Sequence, residues 1–261
     1  MKTPPSTPRL LSVLQQRQFR KRVLAWYERH RRDLPWRANR DPYRVWLSEI
    51  MLQQTRVAAV VEHYQEFLRR FPTVKTLAAA RQASVLAAWS GLGYYRRARM
   101  LHAAAKVVVR QYGAKFPATA EAWRALPGVG RYTAAAIASI AFDEPVAVVD
   151  GNVERVLQRV SGKRVAGEEL WKAADSLLDA KHPGDFNQAM MELGATLCLP
   201  RSPLCGECPV REMCATRGEH PVSERKKMRS KESAYAFMRR SSQPSAAEVM
   251  LERRSTNATL M

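Results

Sequence analysis

The chain has four cysteines, Cys198, Cys205, Cys208 and Cys214, and all fall in one short segment punctuated by Pro200, Pro203 and Pro209. Thiolates gathered so locally make a poor disulfide framework. Eleven Lys/Arg among the first 40 residues leave no room for the apolar core of a secretion signal, so the cluster reads as a metal site. Four such thiolates can enclose a tetrahedral zinc ion or a cubane iron-sulfur cluster. Zinc loops commonly show two short pairs. Here six, two and five residues separate successive cysteines, and that asymmetry favours a 4Fe-4S cluster.

A second chemical signal is LPGVGRYTAAAIA, residues 126–138. Gly128, Val129 and Gly130 would present consecutive backbone amides at the amino end of a helix. There the helix dipole favours an anion, and the missing side chains let a phosphate approach the backbone. Residues 91–115 add Arg96, Arg97, Arg99, Lys106, Arg110 and Lys115 with no acidic residue, which predicts one strongly positive helix face. Taken alone, a Gly-x-Gly between helices is often only a turn, and a basic face often only a solvated one.

Helices must position these groups, because helical periodicity dominates from residue 9 to 222 and strand alternation is almost absent before residue 233. Asp41-Pro42 is a helix start, with Asp as cap and Pro at the first helical position. Thr55 is the expected cap of the next helix, whose apolar stripe runs Val57, Val60, Val61, Tyr64, Phe67, Leu68. After Gly91-Leu92-Gly93 a long helix is expected from Tyr94 to Tyr112, stopped by Gly113. Thr119 should cap a short helix ending at Leu126, Pro127-Gly128-Val129-Gly130 should turn the chain, and Arg131–Phe142 should be a helix. Val146–Val149 reads as a buried connector, and Asp150 as the cap of the helix after it.

The charge balance narrows the partner. Forty-three Lys/Arg against 24 Asp/Glu give a net charge of +19, which favours a polyanion through counterion release. An apolar share of 46% is enough for a real core, so wholesale disorder is excluded. No stretch approaches the ~20 apolar residues of a membrane span, so the expectation is a cytoplasmic, nucleoid-associated protein that does not enter a membrane.

Together the strings LPWR (34–37), WLSEIMLQQT (46–55), GLGYYRRAR (91–99), LPGVGRYTA (126–134), VVDGNVERV (148–156), FNQAMMELGA (186–195) and the four cysteines resemble the helix-hairpin-helix DNA glycosylases that carry an iron-sulfur cluster loop. Within that family they resemble its adenine-excising branch. The resemblance covers roughly residues 20–222. It implies an all-α, two-lobed helix-hairpin-helix glycosylase fold. One lobe would hold residues 27–138, and a cluster lobe residues 1–26 with 139–222. The implied cofactor is a 4Fe-4S cluster. The implied partner is duplex DNA with adenine opposite 8-oxoguanine or guanine, acted on by a monomer.

The resemblance also assigns roles. Glu49, in an apolar helix where desolvation should raise its pKa, matches the acid that protonates adenine N7. Asp150 matches the carboxylate that faces the oxocarbenium ion, by electrostatic stabilisation or a transient covalent bond. Tyr132 stands where bifunctional relatives of the endonuclease III type carry a Schiff-base lysine, which implies a monofunctional enzyme. Trp36, Arg37, Leu52 and Gln188 match the lining of the adenine pocket, Gln54 the residue inserted where adenine leaves the stack, and Tyr94 the aromatic wedge beside the opposite base. The family's departure lies at the end of the chain, where residues 223–261 read as a linker and only the first strands of a MutT-like domain. Two other readings stand beside this one: an endonuclease III-like bifunctional pyrimidine glycosylase, and an inactive DNA-binding remnant with a structural metal.

Overall fold

A computed structural model describes residues 11–219, and the expected linker and MutT-like strands lie outside the described residues. Among the described residues there are eleven α-helices and no strand, as the periodicity predicts. They are α1 (Val13–His30), α2 (Pro42–Leu52), α3 (Val57–Arg70), α4 (Val74–Ala79), α5 (Gln82–Ala88), α6 (Arg96–Tyr112), α7 (Ala120–Arg124), α8 (Arg131–Phe142), α9 (Gly151–Ser161), α10 (Gly167–Leu177) and α11 (Pro183–Thr196).

Two hydrophobic cores organise them. The first gathers Trp46, Leu47, Met51, Tyr64, Phe67, Trp89, Leu101, Trp123 and Ile137 from α2–α8. The second gathers Phe19, Val23, Leu157, Leu177, Phe186 and Leu193 from α1 and α9–α11. The connector before α9 runs between them, with Val148 buried in the first core and Ala147 in the second. Asp150 therefore stands where the chain passes from one core to the other.

Local signals explain most boundaries. Asp41 accepts from the Arg44 amide at 2.9 Å with Pro42 behind it, and Ser12 forms a capping box with Gln15 on α1. The predicted face of α3 is the buried one, through Val60, Tyr64 and Phe67. Gly128 has φ 76°, and a Cβ on it would stand 2.5 Å from Met100 Cβ, so only glycine fits this turn. Gly194 permits a close helix contact: a Cβ there would stand 2.5 Å from Asn152 Cβ, so α11 and α9 touch almost backbone to backbone.

Three expectations are corrected. Thr55 does not cap α3; Arg56 takes the cap position with no side-chain hydrogen bond, and the Thr55 hydroxyl turns back toward Gln53 and Arg97. The helix expected from Tyr94 begins at Arg96, because Tyr94 holds a left-handed backbone with φ 45°. The helix expected to reach Leu126 ends at Arg124, and Leu126 folds into the first core.

Candidate active site and cluster loop

A cavity of about 360 Å³ opens between the two cores, within the ~300–1,000 Å³ range of small-ligand pockets. Trp36, Arg37, Glu49, Leu52, Gln54 and Tyr132 line it from one side, Asp150 and Gln188 from the other. Eight of the nine residues expected in the catalytic and base-binding roles thus share one cavity.

Glu49 is buried on α2, and Tyr132 Oη on α8 donates to its Oε2 at 2.7 Å. The same hydroxyl lies 3.3 Å from Met191 Sδ. Burial pushes the Glu49 carboxyl up to about 7, with the Asp150 charge adding to the rise, while the Tyr132 hydrogen bond and the Arg37 charge oppose it. An acid poised near neutrality suits proton delivery at physiological pH. The Tyr132 phenol is pushed well above its ordinary value by burial and by the two neighbouring carboxyls, so it stays a donor.

Asp150 caps α9. Its Oδ1 accepts from the Asn152 and Val153 amides at 2.9 and 2.7 Å, and its Oδ2 accepts from Asn152 Nδ2 at 2.9 Å. These three donors fix the carboxyl at the amino end of a helix, where a negative charge is favoured. The connector leading to it is fixed as well. Asn187 Oδ1 accepts from the Val148 amide, and its Nδ2 donates to Val146 O and Ser139 Oγ at 2.8 and 2.9 Å.

Several members of the site escape sequence reasoning. Glu192 is buried on α11 and accepts a fork from Arg32, at 2.7 and 2.8 Å, and a third hydrogen bond from Arg37 at 2.9 Å. These guanidinium groups hold its carboxyl at about 2, so it is an anion in the cavity wall. Arg37, expected only to line the pocket, is thereby locked in place, and it also lies over the Tyr27 ring. The signal was present in FNQAMMELGA, where Asn187, Gln188 and Glu192 interrupt an apolar helix face.

Tyr94 is the expected member that lies outside the cavity. Its ring is 62% exposed beside the Arg97 guanidinium. Arg97, expected on the positive face of α6, instead turns inward and hydrogen-bonds the backbone at the end of α2. Arg96 and Arg99 do remain exposed. Gly128, Val129 and Gly130 form the turn before α8, with Gly128 and Gly130 exposed and open space beside Gly130, but the three expected amides are not all free: Val129 is buried and its amide donates to Leu126 O at 3.2 Å.

Cys198, Cys205, Cys208 and Cys214 line one small cavity with Arg159. Arg159 supplies positive charge: it is buried, donates to Cys198 Sγ at 3.3 Å and to the carbonyls of Leu199 and Pro200, and keeps its Nε unpartnered. The donor set, the cavity and the orphaned N–H together fit an anionic iron-sulfur cluster. Burial raises the Cys208 thiol to about 11, so the loop depends on the iron to hold its thiolates. Cys208→Ser should therefore lose the visible absorbance of an iron-thiolate cluster. It should also lower the melting temperature by about 5 °C or more. Absorbance and thermal unfolding of the purified variant check both.

Known proteins place this arrangement. Residues 47–173 match the HhH-GPD superfamily base excision DNA repair proteins, and residues 198–214 the iron-sulfur binding domain of endonuclease III. The adenine DNA glycosylase of Rattus norvegicus is 48% identical over 82% of this chain and 45% of its own length; that of Homo sapiens is 49% identical over 76% and 39%. The chain thus spans under half the length of either relative. The solved structure of a thermostable thymine-DNA glycosylase superposes with a TM-score of 0.74 at 31% identity, covering 78% of this chain and 97% of that one. A trapped endonuclease III-DNA covalent intermediate shares the fold at TM-score 0.68 and 23% identity, over 79% and 97%. With an all-α fold shared along 97% of a 31%-identical solved structure, the hairpin at Gly128 inside the first matched span and the 4Fe-4S cysteines bounding the second, the chain belongs to the HhH-GPD superfamily of base excision DNA repair proteins.

Proposed function

We propose that the chain carries a monofunctional adenine DNA glycosylase, excising adenine opposite 8-oxoguanine or guanine from duplex DNA as a monomer. The observation that carries this reading is the buried Glu49 carboxyl, hydrogen-bonded by Tyr132 in a base-sized cavity that Asp150 also enters. Supporting it are the two curated relatives named as adenine DNA glycosylases.

Adenine swings out of the duplex into the cavity, against Trp36, Leu52, Arg37 and Gln188. Gln54 fills the space it leaves, and Tyr94 wedges beside the opposite base. The Gly128–Gly130 turn holds the DNA backbone at the amino end of α8 through its exposed glycines, with Val129 fixing the turn from within. Protonated Glu49 passes its proton to adenine N7, and the electrons of the C1′–N9 bond withdraw into the base as that bond breaks. Asp150 stabilises the oxocarbenium ion left on the sugar. Water adds at C1′ and gives up a proton to the Glu49 carboxylate, leaving an abasic site and restoring the acid. Cys198, Cys205, Cys208 and Cys214 would hold the 4Fe-4S cluster, which would supply the cross-link that folds the loop between them.

Tyr132 offers no amine, so no Schiff base forms. The test is borohydride reduction during turnover on an adenine:8-oxoguanine duplex. The account predicts free adenine and an intact abasic strand without a protein-DNA adduct, while an adduct in high yield assigns the chain to the bifunctional class.

Tyr132→Phe separates proton tuning from chemistry. Removing a hydrogen bond that favours the carboxylate should raise Glu49 further, by about one pH unit. The alkaline limb of the single-turnover rate should move up by that amount, with melting temperature little changed, as rates measured across the neutral range will show.

A further inference from the structure

Two backbone positions on the DNA-reading side are strained, and one half-buried side chain connects them. Gln54 and Tyr94 are non-glycine residues with φ 55° and 45°. Such conformations cost of order 1–3 kcal/mol each and persist only where the surroundings enforce them. Arg97 is the enforcing group. Its Nη1 donates to the carbonyls of Ile50 and Met51, both at 2.9 Å, and of Gln53, so it gathers the frayed carbonyls at the end of α2. Its Nη2 donates to Thr55 Oγ1 and Leu92 O, both at 3.0 Å, with Gly93 O at 3.4 Å. The guanidinium also lies 5.5 Å from the ring centroids of both Trp89 and Tyr94. One planar fork thus binds the residues on both sides of Gln54 and the two residues before Tyr94.

We propose that Arg97 is a positioning residue that sets the Gln54 and Tyr94 loops in one fixed register, so that insertion and wedging occur as one event when the base is extruded. The inference rests on the adenine-excision reading, in which Gln54 and Tyr94 enter the duplex. No other residue type replaces the fork: lysine keeps the charge but has three hydrogens from a single point, and a neutral side chain leaves the carbonyls unsatisfied. A loop displaced by about 1 Å can cost about 100-fold in rate even when the reacting groups are untouched.

The experiment places 2-aminopurine, which fluoresces when unstacked, at the adenine position opposite 8-oxoguanine, and compares the parent, Glu49→Gln, Arg97→Met and Arg97→Lys. Glu49→Gln should bind and give the full fluorescence rise without excision. Arg97→Met should bind DNA with nearly the parental Kd, lose most of the rise, and excise adenine about 10- to 100-fold more slowly, with the alkaline limb still near the parental pH. Arg97→Lys should restore little of the rise. A parent that releases no adenine removes the reading beneath the inference. An active parent with normal extrusion in either folded Arg97 variant overturns the inference alone. Unfolding of both variants at the assay temperature also overturns it, since Arg97 would then serve stability and not register.

Discussion

Glu49→Gln is expected to slow adenine excision by about 100- to 10,000-fold, the range that a positioned general acid contributes. Affinity for mispaired DNA should change little, because glutamine keeps the shape of the side chain and still accepts from Tyr132 Oη. The effect on stability has the opposite sign. Folding raises the Glu49 carboxyl from 4.5 to about 7, so the folded state favours the protonated form. Its contribution is present in full below 4.5 and is lost as pH rises through 7. At alkaline pH the ionised, desolvated carboxyl costs the fold roughly 3 kcal/mol, which the neutral amide removes. The variant should therefore melt at or above the parental temperature at pH above 7 while being nearly inactive. Paired thermal unfolding and single-turnover assays on the same preparation check both halves. A variant that loses activity only by losing its fold would show the reverse trend in melting temperature.

Asp150→Asn is the second large effect. Removing the negative charge opposite the developing cation should cost about 100- to 1,000-fold in rate or more. Asparagine caps helices as well as aspartate does, and its Oδ1 can still accept from the Asn152 and Val153 amides. One contact becomes unfavourable, because the new amide meets Asn152 Nδ2, itself a donor to Asp150 Oδ2. A stability loss of about 1 kcal/mol is expected from that mismatch. The rate loss must exceed it by a wide margin for Asp150 to be more than a cap. Single-turnover rates set against urea unfolding of parent and variant measure the two quantities independently.

The sequence signals succeeded where chemistry and local geometry coincide. Asp150 is a cap because the residue before a helix amino end needs a short acceptor, and the glycines at 128 and 130 mark a turn for equally local reasons. The cysteine loop announced itself by composition. What stayed illegible depends on where the chain returns to itself. Arg97 belongs to a basic run, and nothing within a few residues shows that its guanidinium will reach carbonyls more than forty positions away. Thr55 has the right type and place for a cap, yet its hydroxyl is taken up by that same arginine. The Arg32–Glu192–Arg37 network joins residues about 160 apart, so a buried ion pair could not be told from surface charge until α1 and α11 were seen to pack. Arg159 is the same case: one of many arginines in sequence, and in the fold the buried cation of the cluster loop.

The central claim is that a carboxyl kept protonated by burial delivers the proton that frees adenine. The most direct measurement is the single-turnover rate of adenine release from an adenine:8-oxoguanine duplex as a function of pH. The account predicts a rate that is level on the acid side of the limb and falls through an apparent pKa near the value of about 7 set by the Glu49 environment, with the limb displaced upward in Tyr132→Phe. Release of no adenine, or a rate that does not fall as pH rises past that value and is unmoved by Tyr132→Phe, would contradict it.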